Sequence, residues 1–211
     1  MQIAMTLLST TLAYLMGSLS FAVIVSRLMG LSDPRSYGSG NPGATNVLRS
    51  GSKGAAALTL LLDAFKGWLP VFIVVHFGSA WQADAWAVAL AGIAAFIGHL
   101  FPVFFNFKGG KGVATAAGVL LGWAWPVGLL AIGVWILTAV VLRYSSLAAL
   151  LATLAAAPGY YLFGRLGWWP MHPPVLLTML VLCALLFWRH RTNIQRLLAR
   201  QEPRIGEKKT A

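Results

Sequence analysis

The run Ala85-Trp86-Ala87-Val88-Ala89-Leu90-Ala91-Gly92-Ile93-Ala94-Ala95-Phe96-Ile97-Gly98-His99-Leu100-Phe101-Pro102-Val103-Phe104-Phe105 contains no Asp, Glu, Lys or Arg. An α-helix needs about 20 apolar residues to cross a hydrocarbon core about 30 Å thick. Similar runs occupy 3–25, 55–75 and 175–188. Over all 211 residues, 58% are hydrophobic and only 10% charged, whereas soluble domains carry about 25% charged residues. The chain reads as one all-α domain, residues 1–211, a polytopic integral membrane bundle.

The first run has no Lys or Arg ahead of Arg27 and exceeds the apolar length of about 7–15 residues usual in a signal peptide. It reads as a retained first helix. The sole cysteine, Cys183, lies in an apolar run and allows no internal disulfide. The net charge of +11 sits at helix flanks and in a tail carrying Arg189, Arg191, Arg196, Arg200, Arg204, Lys208 and Lys209. That distribution favours anionic lipid headgroups and phosphorylated substrates, not nucleic acid.

Charge also predicts topology. Arg27, Arg35, Arg49 and Lys53 surround the first loop, Lys108 and Lys111 mark a second, and Arg143 a third, with Arg165 alone on the opposite side. By the positive-inside rule the basic loops are cytoplasmic, so the N-terminus is external, the C-terminus cytoplasmic and the number of crossings odd. The expected spans are 3–27, 54–77, 84–105, 112–125, 127–142, 145–163 and 173–189, about seven transmembrane helices. A straight helix over 112–142 would reach about 46 Å, so a break is expected near Trp125-Pro126. Five crossings with a re-entrant piece is the alternative. Trp81, Trp86, Trp123, Trp125, Trp168 and Trp169 fall near the external ends, as an aromatic belt should.

Three polar clusters interrupt this apolar pattern. Gly38-Ser39-Gly40-Asn41-Pro42-Gly43-Ala44-Thr45-Asn46-Val47-Leu48-Arg49 contains a Gly-x-Gly-x-x-Gly, but that fingerprint has mechanical meaning only between a strand and a helix. Here it follows a membrane helix. Its glycines let backbone N–H groups approach an anion, with Thr45 or Asn46 capping the next helix; a tight interhelical turn is the other reading. Lys108-Gly109-Gly110-Lys111-Gly112 is not a Walker A loop, because Phe105 stands at the first glycine position and Gly112 follows Lys111. Two ammonium groups and the free amides of a helix start can nevertheless hold phosphate. Otherwise the cluster is a basic membrane anchor with a flexible turn.

His190-Arg191-Thr192-Asn193-Ile194 continues the last helix into the cytoplasm, with His190 and Asn193 on one face. A histidine among cations titrates low, so it is neutral at pH 7 and able to accept a proton. Asp63 and Lys66 lie three apart inside an apolar run, either neutralising each other beside a site or taking part in it. Arg143-Tyr144-Ser145-Ser146 adds a cation and hydroxyls on the same predicted side. His76, His99 and His172 fall outside these clusters. No zinc-site spacing, His-x-x-x-x-Asp or Gly-x-Ser-x-Gly occurs, so neither a metal, a conventional glycerolipid acyltransferase nor a serine hydrolase is indicated.

Taken in order, the clusters resemble the bacterial acyl-phosphate:glycerol-3-phosphate acyltransferase family. The likeness rests on residues 38–49, on Lys108-Gly109-Gly110-Lys111-Gly112-Val113-Ala114-Thr115, and on His190-Arg191-x-Asn193-Ile194-x-Arg196-Leu197. Asp63-x-x-Lys66-Gly67 and Arg143-Tyr144-x-Ser146 look like lesser signatures. One departure is visible: the family tail often reads Arg-Leu-x-x-Gly-x-Glu, and here Arg200 stands at the glycine position before Glu202.

The resemblance implies a seven-helix inner-membrane enzyme with its site at the cytoplasmic face. It would move an acyl group from acyl phosphate to the 1-hydroxyl of sn-glycerol 3-phosphate, giving lysophosphatidic acid and phosphate, without a cofactor. A partner phosphate acyltransferase, drawing on acyl carrier protein, would supply the acyl phosphate. On this reading Ser39, Arg49, Lys108, His190 and Asn193 carry catalysis. Lys108, Ser146, His190 and Asn193 hold the glycerol-phosphate, while Ser39, Arg49 and the 109–112 turn hold the acyl phosphate. Gly40, Asn41, Gly43, Thr45, Asn46, Gly109, Gly110, Lys111, Gly112, Arg143, Asp63 and Lys66 complete the substrate site. The proton acceptor is either His190 or a substrate phosphate oxygen. The competing class is a transporter of an organic phosphate, which would need a polar path across the bilayer instead of motifs gathered at one surface.

Overall fold

The computed structural model describes residues 1–206, so the tail residues Lys208 and Lys209 lie outside the described part. Among the described residues there are helices and no strand. The α-helices are α1 (Gln2–Gly17), α2 (Phe21–Leu28), α3 (Ala44–Val47), α4 (Lys53–Phe77), α5 (Ala85–Leu100), α6 (Val113–Trp123), α7 (Trp125–Leu142), α8 (Ser145–Arg165), α9 (Pro173–Arg189) and α10 (Arg191–Leu198). Four spans, built on α4, α5, α7 and α8, are long and apolar enough to cross a membrane by themselves, and six if each of two bent pairs counts as one.

α5 sits at the centre. Of its apolar window 61% is buried, against 28% for α7, whose Leu129, Ile136, Leu137, Val140 and Val141 face outward. In a bilayer such side chains meet lipid tails, so helices associate through close packing of small residues. α1 meets α5 with Gly17 directly on the Ala95 carbonyl and Gly98 on that of Tyr14. α4 meets α6 in the same way, Gly67 on the Thr115 carbonyl and Gly118 on that of Ala64.

Three expectations are corrected. The predicted first span is two helices, α1 and α2, bent by 45°. Ser18 donates its hydroxyl to the Tyr14 carbonyl at 2.9 Å, and the carbonyl of Leu19 in the break accepts from Lys66 Nζ at 2.6 Å. The last helix does not run on into the third cluster, because α9 and α10 are bent by 58° at His190. Trp123 is no belt residue: it is 4% exposed and donates Nε1 to the Val88 carbonyl at 3.0 Å.

The break near Trp125-Pro126 is present, at the extended Ala124. It leaves α6 with 11 residues, about 16 Å of helix. Trp123 at its foot is bonded to the start of α5, and its carbonyl accepts from Trp169 Nε1 at 3.1 Å. Short α6 therefore reaches the α8–α9 loop, and α7 returns to the opposite end of the bundle, where α8 begins.

Candidate active site

The three clusters meet at that end. In the first, Asn46 is 2% exposed and ties the loop together. Its Oδ1 accepts from the Ser39 amide at 3.0 Å and from an Arg49 guanidinium nitrogen at 3.2 Å, while Nδ2 donates to the Pro34 carbonyl at 2.6 Å. Gly38 is required here: its φ is +61°, and a Cβ would overlap Asn46 Oδ1. Neither Thr45 nor Asn46 caps the helix start, since Gly43 holds the cap position without a side-chain bond. Thr45 instead lies 3.3 Å from Ser145 Oγ, joining the first cluster to α8.

The 109–112 turn is clamped from two sides. Arg189 donates to the carbonyls of Gly109 at 2.7 Å and Gly110 at 3.0 Å. On the other side the Gly110 amide donates to the His99 carbonyl at 3.2 Å. Lys111 then reaches the third cluster, its Nζ donating to Asn193 Oδ1 at 2.6 Å. Asn193 Nδ2 donates to Glu202 Oε1 at 2.6 Å, and Ser146 donates to the same oxygen at 2.7 Å. Glu202 Oε2 accepts from Arg196 Nε at 2.7 Å.

His190, 2% exposed, sits at the bend that follows α9, with Nδ1 2.9 Å from the Leu186 carbonyl. A carbonyl only accepts, so Nδ1 carries the proton and neutral His190 presents Nε2 as a lone pair. Burial pushes its pKa down to about 4, helped by Lys111 and opposed by the Leu186 bond. Desolvation, more than the neighbouring cations, is the cause. Burial also pushes Lys111 down to about 8; Glu202 opposes that, and Arg196, Arg49 and Arg189 add to it. Burial disfavours the Glu202 carboxylate, but the bonds from Ser146, Asn193 and Arg196 hold its pKa below the ordinary value.

Other predicted residues are placed differently. Lys108 lines an open cleft of about 420 Å³ with Arg35, Gly40, Pro42 and Gly109. A smaller cavity of about 70 Å³ is lined by Asn41, Gly43, Thr45, Lys111 and Gly112, with Asp63 and His99 at its inner side. Asp63 and Lys66 form a buried ion pair of 2.7 Å, and Lys66 is 1% exposed with its remaining reach given to Leu19. Lys66 is thus committed to the helix break. Arg143 is committed to the tail, exchanging two backbone-directed bonds with Ile205 at 2.7 and 2.9 Å.

Sequence reasoning passed over two residues. His99 lies 3.7 Å from Asp63 and 3.1 Å from Thr115 Oγ1; a histidine in an otherwise apolar helix, with an acid in another, was the available signal. Glu202 belongs to a tail pattern, but no spacing along the chain ties it to Ser146.

The fold and the site define a polytopic membrane protein that gathers cations, two glycine loops and a buried histidine at one end of its bundle. The family model for glycerol-3-phosphate acyltransferase matches residues 7–200. The chain belongs to that family. It is 58% identical to the glycerol-3-phosphate acyltransferase of Paraburkholderia phytofirmans over 208 residues, covering 97% of this chain and 93% of that protein. The Burkholderia thailandensis enzyme is also 58% identical, over 97% of this chain and 98% of its own. Among solved structures, the glycerol 3-phosphate form of PlsY (YgiH), an integral membrane glycerol 3-phosphate acyltransferase, superposes with a TM-score of 0.84. It is 40% identical and is matched over 95% of this chain and 96% of that one. The lysophosphatidic acid form gives 0.83 at 39% identity, over 95% of each chain.

Proposed function

We propose that this glycerol-3-phosphate acyltransferase takes its acyl group from an acyl phosphate and places it on the 1-hydroxyl of sn-glycerol 3-phosphate. The products are lysophosphatidic acid and inorganic phosphate. The observation that carries this reading is the Lys111–Asn193–Glu202–Ser146 network, which joins the second and third clusters and α8 by hydrogen bonds among several cations. Both substrates carry phosphate, so positive charge and positioning are what the site must supply. The relatives named above act on glycerol 3-phosphate by name, and the PlsY structures carry it and lysophosphatidic acid.

An acyl phosphate is a mixed anhydride, already activated, and needs no covalent enzyme nucleophile. The glycerol C1 oxygen attacks the carbonyl carbon, the tetrahedral oxyanion collapses, and the carbonyl carbon–phosphate oxygen bond breaks. The hydroxyl proton goes to a phosphate oxygen of the substrate. A base works best with a pKa near the operating pH; a phosphate titrates at about 6, whereas His190 titrates at about 4. His190 Nε2 then accepts the acceptor hydroxyl's hydrogen bond and orients it. Ser39, Arg49 and the amides of Gly109, Lys111 and Gly112 hold the donor phosphate, and Lys108 with Arg35 adds charge from the adjoining cleft.

The basic loops orient the chain with this pocket at the cytoplasmic face of the bacterial inner membrane. Seven passes follow when α6 descends and α7 returns, leaving the N-terminus external and the C-terminus inside. A phosphate acyltransferase using acyl carrier protein supplies the donor. The test is phosphate release by the purified protein given palmitoyl phosphate, with and without sn-glycerol 3-phosphate and without added metal. Release that depends on glycerol 3-phosphate and matches lysophosphatidic acid formation is expected. Uptake of glycerol 3-phosphate into liposomes without acylation would replace this reading by the transporter.

A further inference from the structure

Glu202 lies outside the three clusters, yet its carboxylate is only 7% exposed and is the acceptor on which Ser146, Asn193 and Arg196 converge. The tail that delivers it is pinned to the α7–α8 turn. The Ile205 amide donates to the Arg143 carbonyl at 2.7 Å, the Arg143 guanidinium donates back at 2.9 Å, and Arg204 Nε donates to the Tyr144 hydroxyl at 3.2 Å. A carboxylate with three donors in a largely buried setting is held by charge-assisted bonds, the stronger kind.

Two consequences follow. A primary amide can present either end, and an acceptor at Nδ2 with a cation at Oδ1 leaves Asn193 one orientation. Ser146 has one hydroxyl hydrogen, and it goes to Glu202, so Ser146 offers lone pairs to the pocket. Lys111 gains as well. The charged and titratable groups bearing on Lys111 include Glu202 and Arg196 from the tail and α10, Arg49 from the first cluster, Arg189 at the end of α9, and His190, with Asp63 and His99 on the cavity that Lys111 lines. Asp63 is already paired with Lys66, whereas Glu202 is joined to Lys111 through Asn193.

We propose that Glu202 is a positioning residue of the acyl-acceptor site: its carboxylate fixes Asn193 and Ser146 and is the counter-charge of the half-buried Lys111 ammonium. It touches no substrate and acts through these neighbours. The proposal rests on the reading of the pocket as the glycerol-phosphate site.

The test uses the full purified chain, with acyl phosphate saturating and sn-glycerol 3-phosphate varied across pH. Glu202→Gln keeps the shape and removes the charge. It should raise KM for glycerol 3-phosphate about tenfold with kcat lowered less than threefold, and should move the alkaline limb of kcat/KM down by about one pH unit, the scale of one lost charge partner. Glu202→Asp keeps the charge and should return the limb towards its wild-type position. Ile205→Pro removes the amide that pins the tail and should move the limb in the same direction as Glu202→Gln but by less, because Glu202 is then held less firmly.

Superimposable normalised profiles for wild type and Glu202→Gln overturn the proposal, as does a Glu202→Asp profile no nearer to wild type than that of Glu202→Gln. Should Glu202→Gln fail to fold, Arg196→Gln removes a like charge from Lys111 and should move the limb upward; an unmoved or lowered limb overturns the proposal too. Absence of lysophosphatidic acid from the wild type would remove the underlying reading. Wild-type turnover with an unshifted Glu202→Gln profile would remove only the role of Glu202.

Discussion

The ammonium of Lys111 donates a 2.6 Å hydrogen bond to the side-chain oxygen of Asn193, although the two residues are 82 positions apart. The bond joins the glycine turn that opens α6 to the first turn of α10. It ties two of the three clusters to each other. Lys111→Ala and Asn193→Ala should each lower kcat/KM for glycerol 3-phosphate about a hundredfold, close to 2.7 kcal/mol. The double variant should lose much less than the sum, with a coupling of about 1–3 kcal/mol in a double-mutant cycle. Additive losses would mean the bond has no part in substrate binding.

The charge of Lys111 gives a pH signature. It is protonated below about 8 and neutral above, so kcat/KM, which reports the free enzyme, should fall as pH rises through about 8. Stability should move the other way. The folded pKa lies below the ordinary 10.5, so the unfolded chain binds more protons between about 8 and 10.5, and this group's contribution to stability rises across that window. His190 acts with the same sign between about 4 and 6.5. Rates and melting temperatures measured together in detergent decide the matter: a joint fall above pH 8 would mark denaturation in place of Lys111 titration.

His190→Gln should retain kcat within about tenfold while raising KM, because glutamine can still accept or donate toward the acceptor hydroxyl and the proton leaves on phosphate. Loss of general-base catalysis typically costs about 10²–10⁴-fold. A kcat drop of that size, with the fold intact, would return the base role to the histidine.

Asp63 and Lys66 are 2% and 1% exposed, so removing one partner strands a buried charge. Asp63→Ala should cost about 3–5 kcal/mol of stability, and the paired change Asp63→Leu with Lys66→Met should recover most of it. Thermal unfolding in detergent reads both. A stable single variant that is inactive would instead make Asp63 part of the substrate site.

A Cβ on Gly110 would overlap His99 Nε2 and come within 3.0 Å of the Pro42 carbonyl. Gly110→Ala should therefore displace the turn and reduce activity by at least about a hundredfold, the cost of misplacing a positioning element by about 1 Å. Gly133→Ala, which meets nothing within 4 Å, is the control and should be silent in the same assay.

Much of this was legible in the chain itself. Apolar runs around Ala85 and Ala55 announce helices because the bilayer offers no partner for an unpaired backbone group, and the Trp125-Pro126 pair marks where one such run breaks. Clusters at 38–49, 108–112 and 190–194 announce anion chemistry because cations and glycines are conspicuous against an apolar background. The bends at 18–20 and at His190 were not legible. The first is tied to Lys66 capturing the Leu19 carbonyl from another helix, and the second follows no proline or glycine.

Composition and pattern reach the class of fold, the apolar runs and the residue types available for binding phosphate, since hydrophobicity and charge are local properties that each residue carries with it. Which of those residues meet is a matter of how the helices pack. That packing set Lys111 against Asn193, placed Lys108 in a different cleft with Arg35, drew His99 to Asp63, and brought Glu202 from the tail into the pocket. Hydrogen bonds a few ångströms long between residues far apart in the chain depend on how the helices pack, and no spacing along the sequence encodes that distance.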